Sequence, residues 1–244
     1  MLTVRPQARS GIARRLGGLL GTAALFLALA APTAAAPKAF VIDLARRADF
    51  VAQTNNVQCV GASMQMMLNM VGPGTDRSAK TQLRLQQIAR TWSPERPDGR
   101  ERRGASVVGW ALGLTVLGAG PYEVAGYPTI EDATLAAARA IRATGRPVGL
   151  LVWRGRHAWV MSGFTATGDP LIGGARVTSV MVEDPLYPAV SQAWGASPAP
   201  GSSLSLSELG RQFVPRTSSW WGSFGGEYVI VRPYKLDPRA LRQL

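Results

Sequence analysis

One cysteine, Cys59, and one histidine, His157, occur in the whole 244-residue chain. A thiolate is a strong nucleophile near neutral pH, and imidazole is the side chain able to serve there as both base and acid. Two acids, Glu183 and Asp184, follow His157 in sequence. A carboxylate accepting the second imidazole N–H would fix the tautomer that leaves the other nitrogen facing the thiol. Glu183 and Asp184 project to opposite sides of an extended chain, so only one can do this, and the alternation favours Asp184. Gln53 lies six residues before the cysteine. Its NH2 could meet the oxygen that becomes negative when a carbonyl is attacked, with the Cys59 N–H as second donor. Gln58 adjoins the cysteine and points elsewhere. The chemistry available to this set is acyl transfer through a thioester.

The elements that must position these groups can be read from periodicity. Residues 59–71 (CVGASMQMMLNMV) carry Met64, Met67, Leu68 and Val71 at helical spacing, and Gly72-Pro73-Gly74 ends the run. The helix therefore starts on the cysteine. Its N-terminus carries about half a positive charge and unpaired N–H groups, which favour thiolate. Residues 80–92 predict a second helix with Leu83, Leu85, Ile88 and Ala89 apolar, and residues 106–117 a buried third. Residues 130–144 predict a fourth, ended by Gly145. Residues 93–104 (SPERPDGRERRG) read as an exposed loop whose arginines face solvent, with substrate contact as the lesser alternative.

The period then changes. Residues 148–153, 157–165, 177–182 and 228–231 are β-branched or aromatic runs bounded by Gly, Pro and Asp, and read as strands. Residues 165–176 form a hairpin tip whose Asp169-Pro170 reads as a turn. Residues 194–203 read as a flexible loop before a short helix at 207–213. Helices first and an antiparallel-leaning sheet second indicate an α+β fold, with one domain over residues 37–244.

The run Gln53-Thr54-Asn55-Asn56-Val57-Gln58-Cys59-Val60-Gly61-Ala62-Ser63 resembles the Q-x5-C-x-x-A-[SA] block of papain-like cysteine peptidases. His157-Ala158-Trp159-Val160 followed by Gly163 is similar to the histidine strand of their C39-like branch, the bacteriocin-leader peptidases and stand-alone relatives. Val182-Glu183-Asp184-Pro185 is similar to that branch's third motif, a strand ending in Asp-Pro. The resemblance covers roughly residues 40–184, with residues 228–231 as a closing strand. It implies a papain-like α+β fold in which the cysteine helix packs on an antiparallel sheet. It also implies Gln53 as oxyanion residue, Cys59 as nucleophile, His157 as base and Asp184 as orienter, with a peptide or protein substrate and no cofactor. Val60 and Gly61 depart from the Gly or Pro that the family usually places beside the nucleophile. The double-glycine leader specificity of the exporters is not carried over.

Residues 1–36 read as a signal peptide: Arg5, Arg9, Arg14 and Arg15 precede an uncharged apolar run at 19–31 and the small residues APTAAAP. Pro32 stops that run short of the roughly 20 residues a spanning helix needs. An uncleaved anchor is the alternative. Export makes the lone thiol telling, because it cannot be half of an internal bridge. One Cys and one His also exclude a Cys/His zinc site.

The net charge of +12 includes the four arginines of residues 1–36, and a basic surface can lie against anionic envelope polymers. Arginines outnumber lysines 24 to 3, as coding bias produces, and no nucleic-acid module is present. With 46% hydrophobic and 17% charged residues the chain is neither a disordered tail nor a polytopic membrane protein. Two further readings use the same residues. One is a thiol acyltransferase or transpeptidase with another acceptor; the other is a non-catalytic exported binding module of the same fold.

Overall fold

In a computed structural model of the chain, residues 39–96, 98–216 and 224–235 are described. The expected signal segment, residues 1–36, lies outside them. In chain order the strands and helices are β1 Phe40–Asp43, α1 Cys59–Val71, α2 Ala79–Thr91, α3 Val107–Val116, β2 Tyr122–Tyr127 and α4 Ile130–Thr144. There follow β3 Val148–Val152, β4 His157–Ala166, β5 Val177–Glu183, β6 Val190–Ser191, β7 Gly195–Ala196, β8 Ser202–Ser205, α5 Leu206–Leu209 and β9 Tyr228–Pro233. Among the described residues no helix is long and apolar enough to cross a membrane.

Local chemistry sets the helix boundaries. Ser78, Ser106 and Thr129 each accept a backbone N–H of the following first turn, at Thr81, Gly109 and Asp132. Gly145 closes α4 with φ 66°, a left-handed conformation that glycine adopts without cost, and its N–H returns to the Ile141 carbonyl.

The main sheet has seven strands in the order β2-β9-β3-β4-β5-β8, with β1 paired to the far end of β4. Every pairing in it is antiparallel. Alternate residues of the central strands feed two cores. Ala158, Val160, Val229 and Val231 pack with Val60, Met64, Met66, Met67, Trp110 and Leu114 of α1 and α3. Trp159, Met161, Phe164 and Ile230 face the other way, onto Ala137 and Ile141 of α4. A strand covered on both faces reads as an uninterrupted apolar run, which is why VGLLV of β3 is wholly buried. The arrangement is α+β with helices packed on an antiparallel sheet, as the sequence indicates.

Several details differ from the sequence reading. Strand β2 (YEVAGY) falls in a stretch given no element; it pairs only with β9 and is mostly half-exposed. Strand β9 is not a closing strand, because it lies inside the sheet between β2 and β3. Residues 194–203 are not simply a flexible loop: Gly195–Ala196 pairs with Val190–Ser191, and β8 begins at Ser202 and lies along β5. Helix α5 is one turn long and does not reach Phe213. On α2, Leu83 is exposed, whereas Gln82 and Gln86 are buried.

Gly61, one of the departures beside the nucleophile, has a structural reason. A Cβ there would lie 2.7 Å from the Gln82 carbonyl oxygen, so α1 and α2 can approach this closely only at glycine.

Candidate active site

Cys59 is the first residue of α1 and is half-buried. Two buried glutamines of α2 hold the segment leading into it. Gln86 Oε1 accepts the Gly61 N–H at 2.9 Å, and Gln86 Nε2 donates to the Val57 carbonyl at 2.9 Å, so one side chain grips both flanks of the cysteine. Gln82 accepts the Thr54 N–H at 2.8 Å and donates to the Ala52 carbonyl at 2.9 Å. Ser63 Oγ donates to the Ala158 carbonyl at 3.1 Å, tying α1 to β4 one residue beyond the histidine.

His157 opens β4 and is buried. Its Nε2 lies 2.7 Å from Asp184 Oδ1. That leaves Nδ1 for the Cys59 thiol, which lies close enough to the ring to raise its pKa. Burial alone would push the imidazole pKa down, but the hydrogen bonds and charges of Asp184 and Cys59 outweigh it and raise the pKa to about 9. Asp184, the first residue after β5, is fully buried, and its Oδ1 also accepts the Leu186 N–H at 2.8 Å. The carboxylate is therefore fixed from two sides.

Glu183 faces away. It pairs with Val160, whose side chain points to the α1 side of the sheet, and its carboxyl lies near Asp43 and Asp49. Burial, and then the Asp43 charge, raises its pKa to about 7. Asp169 sits in the β4–β5 hairpin tip, where its carboxylate accepts the Leu171 N–H and its carbonyl the Ile172 N–H, as its turn reading implies, and it also pairs with Arg142.

Gln53 is half-buried beside the acid: its backbone N–H donates to the Pro185 carbonyl at 2.7 Å. One N–H of its side chain donates to the Asn55 carbonyl at 3.0 Å, and its Oε1 is buried without a partner. Gln58 is buried and accepts from Thr54 Oγ1, so its amide is engaged within the loop.

Two tryptophans join the site that the sequence reading did not assign to it. Trp153 stacks on the His157 ring with centroids 4.1 Å apart, and Trp194 stacks behind it at 6.1 Å. Trp153 Nε1 donates to Gln212 Oε1 at 2.7 Å. Trp153 and Arg154 both have φ 57°, which costs on the order of 1–3 kcal/mol for each such residue. These two consecutive left-handed residues, four and three positions before the histidine, belong to the turn that brings the Trp153 ring back over the imidazole and covers that face. Such strain is retained where the surroundings impose it, and an aromatic residue at a hairpin corner before the lone histidine is the signal that could have found it.

Cys59, His157 and Asp184 lie together, the last two hydrogen-bonded, with Gln53 beside the acid. The arrangement can move a proton from a thiol to an imidazole and hold the resulting imidazolium against a buried carboxylate. Among the described residues no group of three or more His, Cys, Asp and Glu side chains could hold a metal ion.

No family model matches the sequence, and no curated protein matches it. Among solved structures, the chain aligns with a chain assigned to the C39-like peptidases from Bacillus anthracis. That alignment has 13% identity over 77% of this chain and 95% of the other, with a TM-score of 0.42. The chain also aligns with UfSP from C. elegans at 14% identity and a TM-score of 0.40, covering 75% of this chain. It spans 31% of the length of that UfSP.

Proposed function

We propose that the chain is an exported papain-like thiol peptidase of the C39-like kind, cleaving peptide or related amide bonds. The observation that carries the reading is the contact chain itself. The sole cysteine, at a helix start, lies close enough to the sole histidine to raise its pKa, and the histidine Nε2 lies 2.7 Å from a buried aspartate. In the proposed reaction the thiol proton has already passed to His157, the Cys59 thiolate attacks the carbonyl carbon, and Asp184 stabilises the imidazolium. The developing oxyanion is met by the Cys59 backbone N–H and by the Gln53 side-chain N–H not held by Asn55. Collapse of the tetrahedral intermediate breaks the amide C–N bond, and His157 returns its proton to the leaving amine. Water, deprotonated by His157, then hydrolyses the thioester and frees the thiol. No step needs a cofactor. Export rests on the arginine-led apolar run of residues 1–36.

The test is a peptide-library digest read by mass spectrometry, with Cys59→Ala and iodoacetamide-treated protein alongside. Cleavage that both treatments abolish supports the reading. A thiol that alkylates no faster than free cysteine, with no cleavage, leaves the non-catalytic binding module.

A further inference from the structure

The surface between the 96–107 segment and the turn before His157 opens into a cavity of about 360 Å³. Five arginines line it, Arg96, Arg102, Arg103, Arg156 and Arg216, and no Asp or Glu is among its described lining residues. Two features connect it to the segments that carry the reacting groups. Arg156 directly precedes His157. Gly104, also in the wall, lies against the loop before the cysteine, where a Cβ would stand 3.8 Å from the Val57 carbonyl oxygen.

The five guanidinium groups are not equivalent. Arg96 is paired with Asp98, and Arg102 donates to the Pro94 carbonyl. Arg103 and Arg156 are exposed at the mouth. Arg216 is 4% exposed, and its stem lies over Gly155, where a Cβ would stand 3.2 Å from Arg216 Cγ and Nε. Burial, and then the charge of Arg102, pushes the Arg216 pKa down to about 10. The exposed guanidinium groups of Arg103 and Arg156 repel one another across the mouth, and an anion between them lowers that repulsion.

We infer that this cavity is a substrate subsite that binds a carboxylate next to the scissile bond. The inference rests on the proposed peptidase reading, because the anionic groups a peptide can offer are carboxylates. The planar guanidinium fork matches a carboxylate with two parallel N–H···O bonds, an arrangement that selects orientation as well as charge. The carboxylate comes either from an Asp or Glu side chain or from a free chain terminus. The loop of residues 93–104 then carries a recognition role that its mixed charge does not reveal.

The experiment uses the full chain and matched peptides that differ by Glu or Gln at each position flanking the cleaved bond, each made with a C-terminal acid or amide. We expect a carboxylate at one position to raise kcat/KM at least about tenfold, the size of one charge-assisted pair. We expect the preference to fall below about threefold in the Arg103→Gln/Arg156→Gln chain, whose replacements are exposed and leave the core untouched. Preference for Glu over Gln in amidated peptides assigns a side chain; preference for the free acid alone assigns a terminus. Cleavage without preference, preference that survives both replacements, or inhibition by inorganic phosphate without carboxylate preference overturns the subsite and leaves the peptidase standing. If no peptide is cleaved, the peptidase reading fails separately. Calorimetric binding of the same peptides to the Cys59→Ala chain then decides the subsite: tenfold tighter binding of the acid, lost on replacing Arg103 and Arg156, upholds it, and equal binding overturns it.

Discussion

Replacing Asp184 with asparagine removes one charge from the site and keeps its shape. Asp184 Oδ1 takes up the His157 Nε2 contact at 2.7 Å and the Leu186 N–H at 2.8 Å. The Leu186 N–H needs an oxygen at that point, so in Asp184→Asn the amide keeps its oxygen there and turns its NH2 into the place of Oδ2. That place is buried and offers no partner, so the variant loses about 1–3 kcal/mol of global stability. At the histidine, a bond to a charged acceptor worth about 1.5–3 kcal/mol becomes a neutral one worth about 1 kcal/mol. The imidazolium then loses roughly 1–2 kcal/mol, and kcat/KM at neutral pH falls by about 5- to 30-fold. The same change appears in the pH profile. Burial lowers the His157 pKa while Asp184 and Cys59 raise it to about 9, so activity should decline as pH rises through that value. In Asp184→Asn the decline begins about one pH unit lower. The assay is kcat/KM on one fluorogenic peptide from pH 5 to 10, with Glu183→Gln as the control that changes activity less than threefold. If Asp184→Asn stays within threefold and its alkaline limb does not move, the orienting role is refuted. A more damaging Glu183→Gln would transfer that role to the other face of the strand.

Cys59→Ala should lower turnover by at least about 10³-fold and leave the melting temperature within a few degrees of wild type, since a small half-buried side chain is lost; activity above about 1% removes the thiol mechanism. Gln53→Ala should lower kcat about 10²–10³-fold while iodoacetamide still alkylates Cys59 at near the wild-type rate; joint loss of alkylation and hydrolysis would instead make Gln53 a support for the helix. Glu183 has a folded-state pKa raised from 4.5 to about 7 by burial and then Asp43, so the fold holds an extra proton between those values. Stability should fall as pH rises across that window and flatten above it, and Glu183→Gln should remove roughly 1–3 kcal/mol of that slope in urea titrations at pH 5 and pH 8. A slope that survives the substitution would place the responsible group elsewhere.

The parts legible in the sequence are those set by neighbours along the chain. Helix α1 begins on Cys59 and stops at Gly72, and α4 stops at Gly145, because these boundaries depend on local periodicity and on glycine. The choice of Asp184 over Glu183 as the acid facing His157 follows from the period of two in a strand. Contacts distant in sequence escaped. Residues 122–127 look unremarkable until β9, about a hundred residues later, pairs with them. VIVR of β9 reads the same at an edge as at the centre, so its position belongs to its partners. The Ser-Ser-Leu-Ser of β8 lacks apolar alternation, because an edge strand on β5 needs none. Gln82 and Gln86 look like the solvent face of α2 and are instead satisfied by the loop before Cys59 and the first turn of α1, about 30 and 25–29 residues away.

The interior place of β9 bears on the order in which the molecule is assembled. Cys59 and His157 are made long before residues 228–233, yet β3, whose hairpin with β4 carries Trp153 and His157, has β9 as its other neighbour. Without β9, strand β2 has no partner among the described strands, and the outer edge of β3 is open to any extended chain. Pairings this far apart in sequence also form late, because a long loop must close first. A chain emerging residue by residue therefore holds both Cys59 and His157 before it holds the complete sheet.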